Sequence, residues 1–161
     1  MAKSTTNCSC CTLHSWDYQP PVNDRKRLYD LPKAGAILIY NGRVLIVQSR
    51  GKKWGFPKGS FERGECATQC ATREVLEETS FNIRFKEDDS NVKYNKTTFY
   101  IKHLERKPPS INHGFLKKPG NDCTGIGWIR LTCLNKQSKL NGSIKFNIGV
   151  RKFVSQYINP R

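Results

Sequence analysis

GSFERGECATQCATREVLEETSF, running from Gly59 to Phe81, is the stretch that decides the fold. Glu65 stands six residues after Gly59, and Arg73 eight after Glu65. Glu74, Val75, Glu77 and Glu78 follow directly. The pattern predicts a helix from about Cys66 to Thr79, with Glu65 at its start, where the helix dipole favours a carboxylate. At roughly 100° per residue, Glu74, Glu77 and Glu78 share one sector of that helix. The small residues Ala67 and Ala71 lie beneath the same sector, one and two turns earlier. Like charges at this spacing repel and destabilise an isolated helix. A hard divalent cation with oxygen ligands offsets them well. Glu77-Glu78 alone reads as a solvated acidic face. The joint spacing of Gly59, Glu65, Arg73, Glu74, Glu77 and Glu78 points instead to a metal site facing a phosphate chain.

The rest of the chain sets the context. Its 161 residues suit one domain with a proper core. Against 28 Lys and Arg stand only 13 Asp and Glu, a formal net charge of +15. Such a charge steers a protein toward polyanions, whether nucleic acid, nucleotides, inositol polyphosphates or an anionic membrane; the plain alternative is a well-solvated surface. No run of about 18 apolar residues is present, so no membrane span is expected. The first residues, MAKSTTNCSCC, lack the apolar core of a secretory signal. Seven cysteines, an odd count, fit reduced thiols in a cytoplasmic or nuclear compartment. Cys8, Cys10, Cys11 and His14 offer metal-binding atoms, but in no common zinc spacing.

Residues 1–30 read as a basic, flexible N-terminal arm, and residues 31–161 as the folded domain, ending in a basic helix. AGAILIY and RVLIVQS are strands joined by Asn41-Gly42, the dipeptide of a type I′ hairpin. RGKKWGFPKG is a basic loop in which Pro57 forbids helix. FNIRF, VKYNKTTFYIKHL and GIGWIRL are strand candidates, and a long basic loop fills much of 106–125. Ile144, Ile148, Phe153 and Tyr157 are spaced as on a basic C-terminal helix. Helices and strands mix without a repeated βα unit, which predicts an α/β sandwich with a mixed sheet.

The box from Gly59 to Phe81 resembles the signature of the Nudix hydrolases, which implies an α/β/α sandwich and hydrolysis of a nucleoside diphosphate linkage. The departure is Ser80, where the family usually has a helix-ending glycine. By resemblance, Glu74, Glu77 and Glu78 bind Mg²⁺ or Mn²⁺, with the Gly59 carbonyl as a further ligand. Arg73 orients a carboxylate, and Glu65 contacts a second ion or braces the loop. The proton acceptor is a box glutamate or an acid on a later loop.

WGFPKG and CATREVLEET further resemble the catalytic domain of mRNA-decapping enzymes. That likeness implies removal of the 5′ cap, giving methylated GDP and 5′-monophosphate RNA. It puts Asp122 near the place of that family's loop glutamate, one methylene shorter; a loop-capping aspartate is the equal alternative. Lys117, Lys118, Lys145, Arg151 and Lys152 form part of a basic track for RNA. Lys58 belongs to the loop before the box. Trp54 and Phe115 are candidates to stack on the methylated guanine, with a core role the stronger reading for Trp54. The regulatory domain that precedes the cellular enzymes' catalytic domain has no room in thirty residues, and the compactness is that of versions encoded by large DNA viruses, which would act in the host cytoplasm. A second reading is a diphosphoinositol- or dinucleoside-polyphosphate hydrolase, with Arg50, Lys52 and Lys53 as its phosphate-binding loop, although PKG stands where that group has PGG. A third is a catalytically silent RNA-binding module, against which the three repelling acids argue.

Overall fold

A hairpin organises the molecule. In the computed structural model, which describes residues 3–4, 11–16, 31–49, 53–116, 123–139 and 144–158, strands β3 (Lys33–Tyr40) and β4 (Arg43–Ser49) run antiparallel. They turn at Asn41 (φ 49°) and Gly42 (φ 72°), both left-handed as a type I′ turn demands. Ala34, Ala36 and Leu38 face one core cluster and Ile37 the other, as alternation along a strand requires. Val44 and Ile46 against Leu45 and Val47 repeat the division on β4.

Outward from the hairpin lie β1 (Lys3–Ser4), β2 (Thr12–Ser15), β5 (Lys53–Gly55), β6 (Lys58–Ser60), β7 (Asn91–Tyr94), β8 (Thr97–His103), β9 (Cys123–Arg130) and β10 (Lys145–Phe146). The main path of the sheet is β1-β2-β9-β4-β3-β8-β7, antiparallel except where β3 meets β8. β6 pairs with the first residues of β3, and β5 with the last of β4. Helix α1 (Ala67–Thr79) covers one face through Cys70, Ala71 and Val75. Helices α3 (Leu131–Lys139) and α4 (Ile148–Phe153) cover the other through Leu134, Val150 and Phe153. The result is the expected mixed α/β sandwich. Among the described residues no helix is long and apolar enough to cross a membrane.

Four expectations need correction. The stretch RGKKWGFPKG, expected as a loop, carries the short strands β5 and β6. FNIRF forms no strand: Phe81 and Phe85 are buried against the α1-side core, Phe85 stacked on Tyr100, so the alternation records burial without a ladder. The C-terminal segment is not one helix. Lys145 and Phe146 pair in parallel with Lys53 and Trp54, and the Asn147 N–H donates to the Trp54 carbonyl at 2.8 Å. Helix α4 starts only after this, and a π-helical turn follows at Val154–Ile158. Ile144, Val150, Phe153 and Val154 are buried, whereas Ile148 and Tyr157 are half exposed. Finally, the N-terminal segment contributes to the sheet. β2 lies beside β9, with Leu13 fully buried and the Trp16 N–H donating to the Thr124 carbonyl at 2.9 Å. Residues 5–10 and 17–30 lie outside the described residues. Within the long basic loop a short helix, α2 (His113–Leu116), packs against the α1 side.

Candidate active site

Helix α1 is capped by Cys66, whose N–H donates to Gln69 Oε1 at 3.0 Å, a local cap that fixes where the helix begins. It ends at Ser80, whose φ of 67° is the left-handed cap usually filled by glycine. The Ser80 Oγ accepts the Asn112 N–H at 3.2 Å, which ties the loop before α2 to the helix end. β6 runs beneath this helix. Gly59 lies so close to it that a Cβ there would run into the Glu74 carboxylate. Only a residue without a side chain allows that approach.

Arg73 is the hub of the acidic cluster. Its Nε and Nη2 donate to the two Glu65 oxygens at 2.6 and 3.0 Å, a bidentate fork. Nη1 reaches Glu74 Oε1 at 2.8 Å and Glu77 Oε2 at 3.3 Å, and Nη2 also donates to the Ser60 carbonyl at 3.0 Å. Glu62 approaches Nε at 3.6 Å. Glu65 thus braces the loop, and its second partner, the Glu62 N–H at 2.9 Å, completes that role. The bond to Arg73 holds the Glu65 carboxyl below the usual carboxylate range and the guanidinium pKa above its own. Glu78 is buried, and its Oε2 accepts the Lys58 N–H at 3.0 Å.

Four carboxylates (Glu62, Glu65, Glu74 and Glu77) therefore crowd around one guanidinium, and Glu78 adds a fifth from the next position of the helix. Burial pushes Glu74 up to about 7; Arg73 pulls it down, while Glu77 and Glu65 add to the rise. The excess negative charge, the all-oxygen donor set and the Gly59 cradle that a Cβ would fill suit a hard divalent cation. Among the described residues no three such side chains already converge on one point, because Arg73 draws on Glu74 and Glu77. A cation held by these two would have to compete with Arg73.

Other expected residues fall in varied places. Trp54 is 2% exposed, a core side chain with no face left for a base, so cap stacking does not go with it. Phe115 is half-buried against the α1-side core. Lys53 and Lys145 are exposed neighbours across the β5–β10 ladder. Arg151 is exposed, and Lys152 donates to Asn95 Oδ1 at 3.2 Å. Arg50, Lys52, Lys117, Lys118 and Asp122 lie outside the described residues, as do Cys8 and Cys10. Cys11 is buried at the start of β2, and the His14 ring meets His113 edge-on at 6.1 Å.

The sequence pattern missed three contributors: the Ser60 carbonyl, the Lys58 N–H and the Cys70 thiol, which donates to the Gly59 carbonyl at 3.4 Å. Backbone groups leave no mark in a sequence. Cys70 does leave one, since it stands one helical turn before Glu74 and so shares its face.

Residues 30–139 match the family model of the NUDIX domain. A protein of Invertebrate iridescent virus 3 named as hydrolase 111R is 32% identical over 132 residues, covering 79% of this chain and 76% of its own. The m7GpppN-mRNA hydrolase dcap-2 of Caenorhabditis elegans is 44% identical over 58 residues, 33% of this chain but only 7% of its own length. Among solved structures, a MutT NUDIX hydrolase from Burkholderia pseudomallei aligns with a TM-score of 0.55 at 18% identity, over 79% of this chain and 97% of that one. This last likeness speaks to the fold alone.

Proposed function

The chain belongs to the Nudix family of pyrophosphate hydrolases, and from that premise we propose that its substrate is the 5′ cap of an RNA, cut to methylated GDP and 5′-monophosphate RNA. The observation that carries RNA over a small pyrophosphate is the pair Lys53 and Lys145. They are exposed neighbours on parallel strands, Lys53 on the stretch that leads into Gly59 and Lys145 beside it on β10, and neither has a carboxylate partner among the described residues. Like charges set side by side destabilise a sheet, and a phosphate backbone relieves them. Arg151 and Lys152 on the adjoining helix α4 lengthen the basic surface. The short segment shared with an enzyme named as an mRNA hydrolase supports the same reading.

In this reading Glu74, Glu77, Glu78 and the Gly59 carbonyl hold Mg²⁺ or Mn²⁺. When bound, the ions polarise the phosphate chain and acidify water. Arg73 aims Glu74 and Glu77 while Glu65 locks its fork. The Lys58 N–H directs Glu78, and a box carboxylate or Asp122 accepts the proton of the attacking water. Lys58 itself, with Arg50, Lys52 and Lys53, meets the phosphates; Lys117, Lys118, Lys145, Arg151 and Lys152 meet the RNA. Phe115 is the remaining described candidate to stack on the guanine.

Cap-labelled RNA incubated with Mn²⁺ tests the proposal. Release of methylated GDP is expected, and Glu78→Gln should lower turnover by about a hundredfold or more while the circular dichroism stays unchanged. Diphosphoinositol polyphosphates or free cap analogue cleaved far faster than capped RNA would overturn the RNA assignment. RNA binding without turnover, indifferent to Glu78→Gln, would overturn the enzyme.

A further inference from the structure

We propose that Cys11 and Cys133 are a modification site, a thiol pair that closes reversibly to a disulfide and clips the N-terminal segment to helix α3. This goes beyond the catalytic reading of the box and does not depend on it. The ladder makes the placement. Thr12 lies opposite Trp128 and Leu13 opposite Gly127, so Cys11 comes level with the last residues of β9, where the chain turns into α3. Cys11 and Leu13 enter the same core cluster, and Cys133, in the first turn of α3, packs against that cluster. Cys11 is 6% exposed; a backbone hydrogen bond ties it to Arg130, and a side-chain hydrogen bond joins it to Cys133. Two thiols more than a hundred positions apart in the chain therefore meet. Other described thiols are engaged elsewhere: Cys70 against the Ala34 and Gly59 carbonyls, Cys123 on the Gly125 carbonyl, Cys66 beside Thr68 Oγ1.

Cys133 is partly exposed, so a small-molecule disulfide such as oxidised glutathione reaches it first. The Cys133 thiolate attacks one glutathione sulfur and the glutathione S–S bond breaks. One glutathione leaves as a thiolate and takes up the proton that Cys133 lost. The Cys11 thiolate then attacks the Cys133 sulfur of this mixed disulfide, and the second glutathione leaves and takes up the Cys11 proton. The two cysteines are oxidised by two electrons, and the oxidant is reduced to two thiols. Reduced glutathione or dithiothreitol runs the same steps backwards. The new bond closes a ring of more than a hundred residues, and a link of that span restricts the unfolded chain strongly. It also holds in place the strand that brings Leu13 and Trp16 into the core.

Equilibration of the full chain in glutathione buffers of graded ratio tests this, with remaining thiols trapped by alkylation and the proteolytic peptides sequenced by tandem mass spectrometry. Oxidation should link Cys11 to Cys133 and remove two of the seven thiols, and dithiothreitol should release the link. The melting temperature should rise by about 4–16 °C on oxidation. Cys133→Ser, at a partly exposed position, should show neither the link nor the rise, and Cys11→Ser should behave alike. Each variant is compared with itself in the two redox states, so a general loss of stability from replacing a buried thiol does not enter the result. No link in a fully oxidising buffer, a Cys133 link to Cys8 or Cys10 in place of Cys11, or a rise in melting temperature that persists in Cys133→Ser would overturn the pair.

Discussion

Gly59→Ala is the substitution that most directly interrogates the site. The added methyl would meet the carboxyl carbon and both oxygens of Glu74. Two relaxations are open. Glu74 can swing aside, which breaks its 2.8 Å bond to Arg73 Nη1 and strands a carboxylate only 12% exposed. Otherwise β6 can retreat from α1, which stretches the 3.0 Å Lys58-to-Glu78 bond and the 3.4 Å Cys70-to-Gly59 contact. Overpacking costs about 1–3 kcal/mol, and a lost charged hydrogen bond about 1.5–3 kcal/mol. Since relaxation trades one for part of the other, the net is about 2–4 kcal/mol. At about 2–4 °C per kcal/mol for a chain of this size, the melting temperature should fall by about 4–16 °C. Displacing a ligand by an ångström should also cost about a hundredfold in turnover. Differential scanning fluorimetry and a pyrophosphatase assay read both effects. Gly114→Ala is the control, because a methyl there meets only Asn112 Oδ1 at 3.5 Å, an ordinary contact. Gly59→Ala with the melting temperature and turnover of the unsubstituted protein would refute the placement of Glu74 against β6.

Arg73→Ala should lower the urea-unfolding stability by about 1–3 kcal/mol, because Glu65 and Glu74 lose their shared partner, and Arg73→Lys should not rescue it, lacking the fork. Replacing Lys53 and Lys145 together by alanine should reduce the slope of log affinity for single-stranded RNA against log salt by about 1.4, read by filter binding over a salt series; an unchanged slope would remove both from the RNA path. At pH 8 a thiol reagent should label Cys66, exposed and held below the usual thiol range by its bond to Thr68, well before Cys70 and Cys123, which burial pushes up to about 12. Because the ordinary value of those two is 9.0, their contribution to stability is complete below pH 9 and is lost as pH climbs toward 12. The urea midpoint should decline across that window, and a flat profile would contradict the burial.

Local signals explain what the sequence revealed. Asn41-Gly42 demanded a backbone that few other dipeptides accept, so the hairpin was legible from two residues. The acidic box was legible because its spacing is a helical phase. Side chains paired across long separations were not. β2 has four residues without clear alternation, and its partner Trp128 is more than a hundred positions away. Phe81 and Phe85 looked like strand residues because burial on one side produces the same alternation as a ladder. Ile148 and Tyr157 fitted a helical period, yet the segment is broken into a strand, a short helix and a π turn, and both residues are half exposed. The Arg73 fan was legible only as a pair, since no spacing rule says that one guanidinium will serve Glu65, Glu74 and Glu77 at once.

The short strand β2 has a practical meaning. The span of kinship opens at residue 30, yet Leu13 and Trp16 belong to the packed interior and β9 is flanked on one side by Thr12–Ser15. A polypeptide trimmed to the matched span would leave the outer rim of β9 with unpaired amides and carbonyls and a raw apolar seam where Leu13 had been, an open invitation to stick to its neighbours. The smallest piece that holds itself together is wider, at its N-terminal side, than the piece that ancestry recognises.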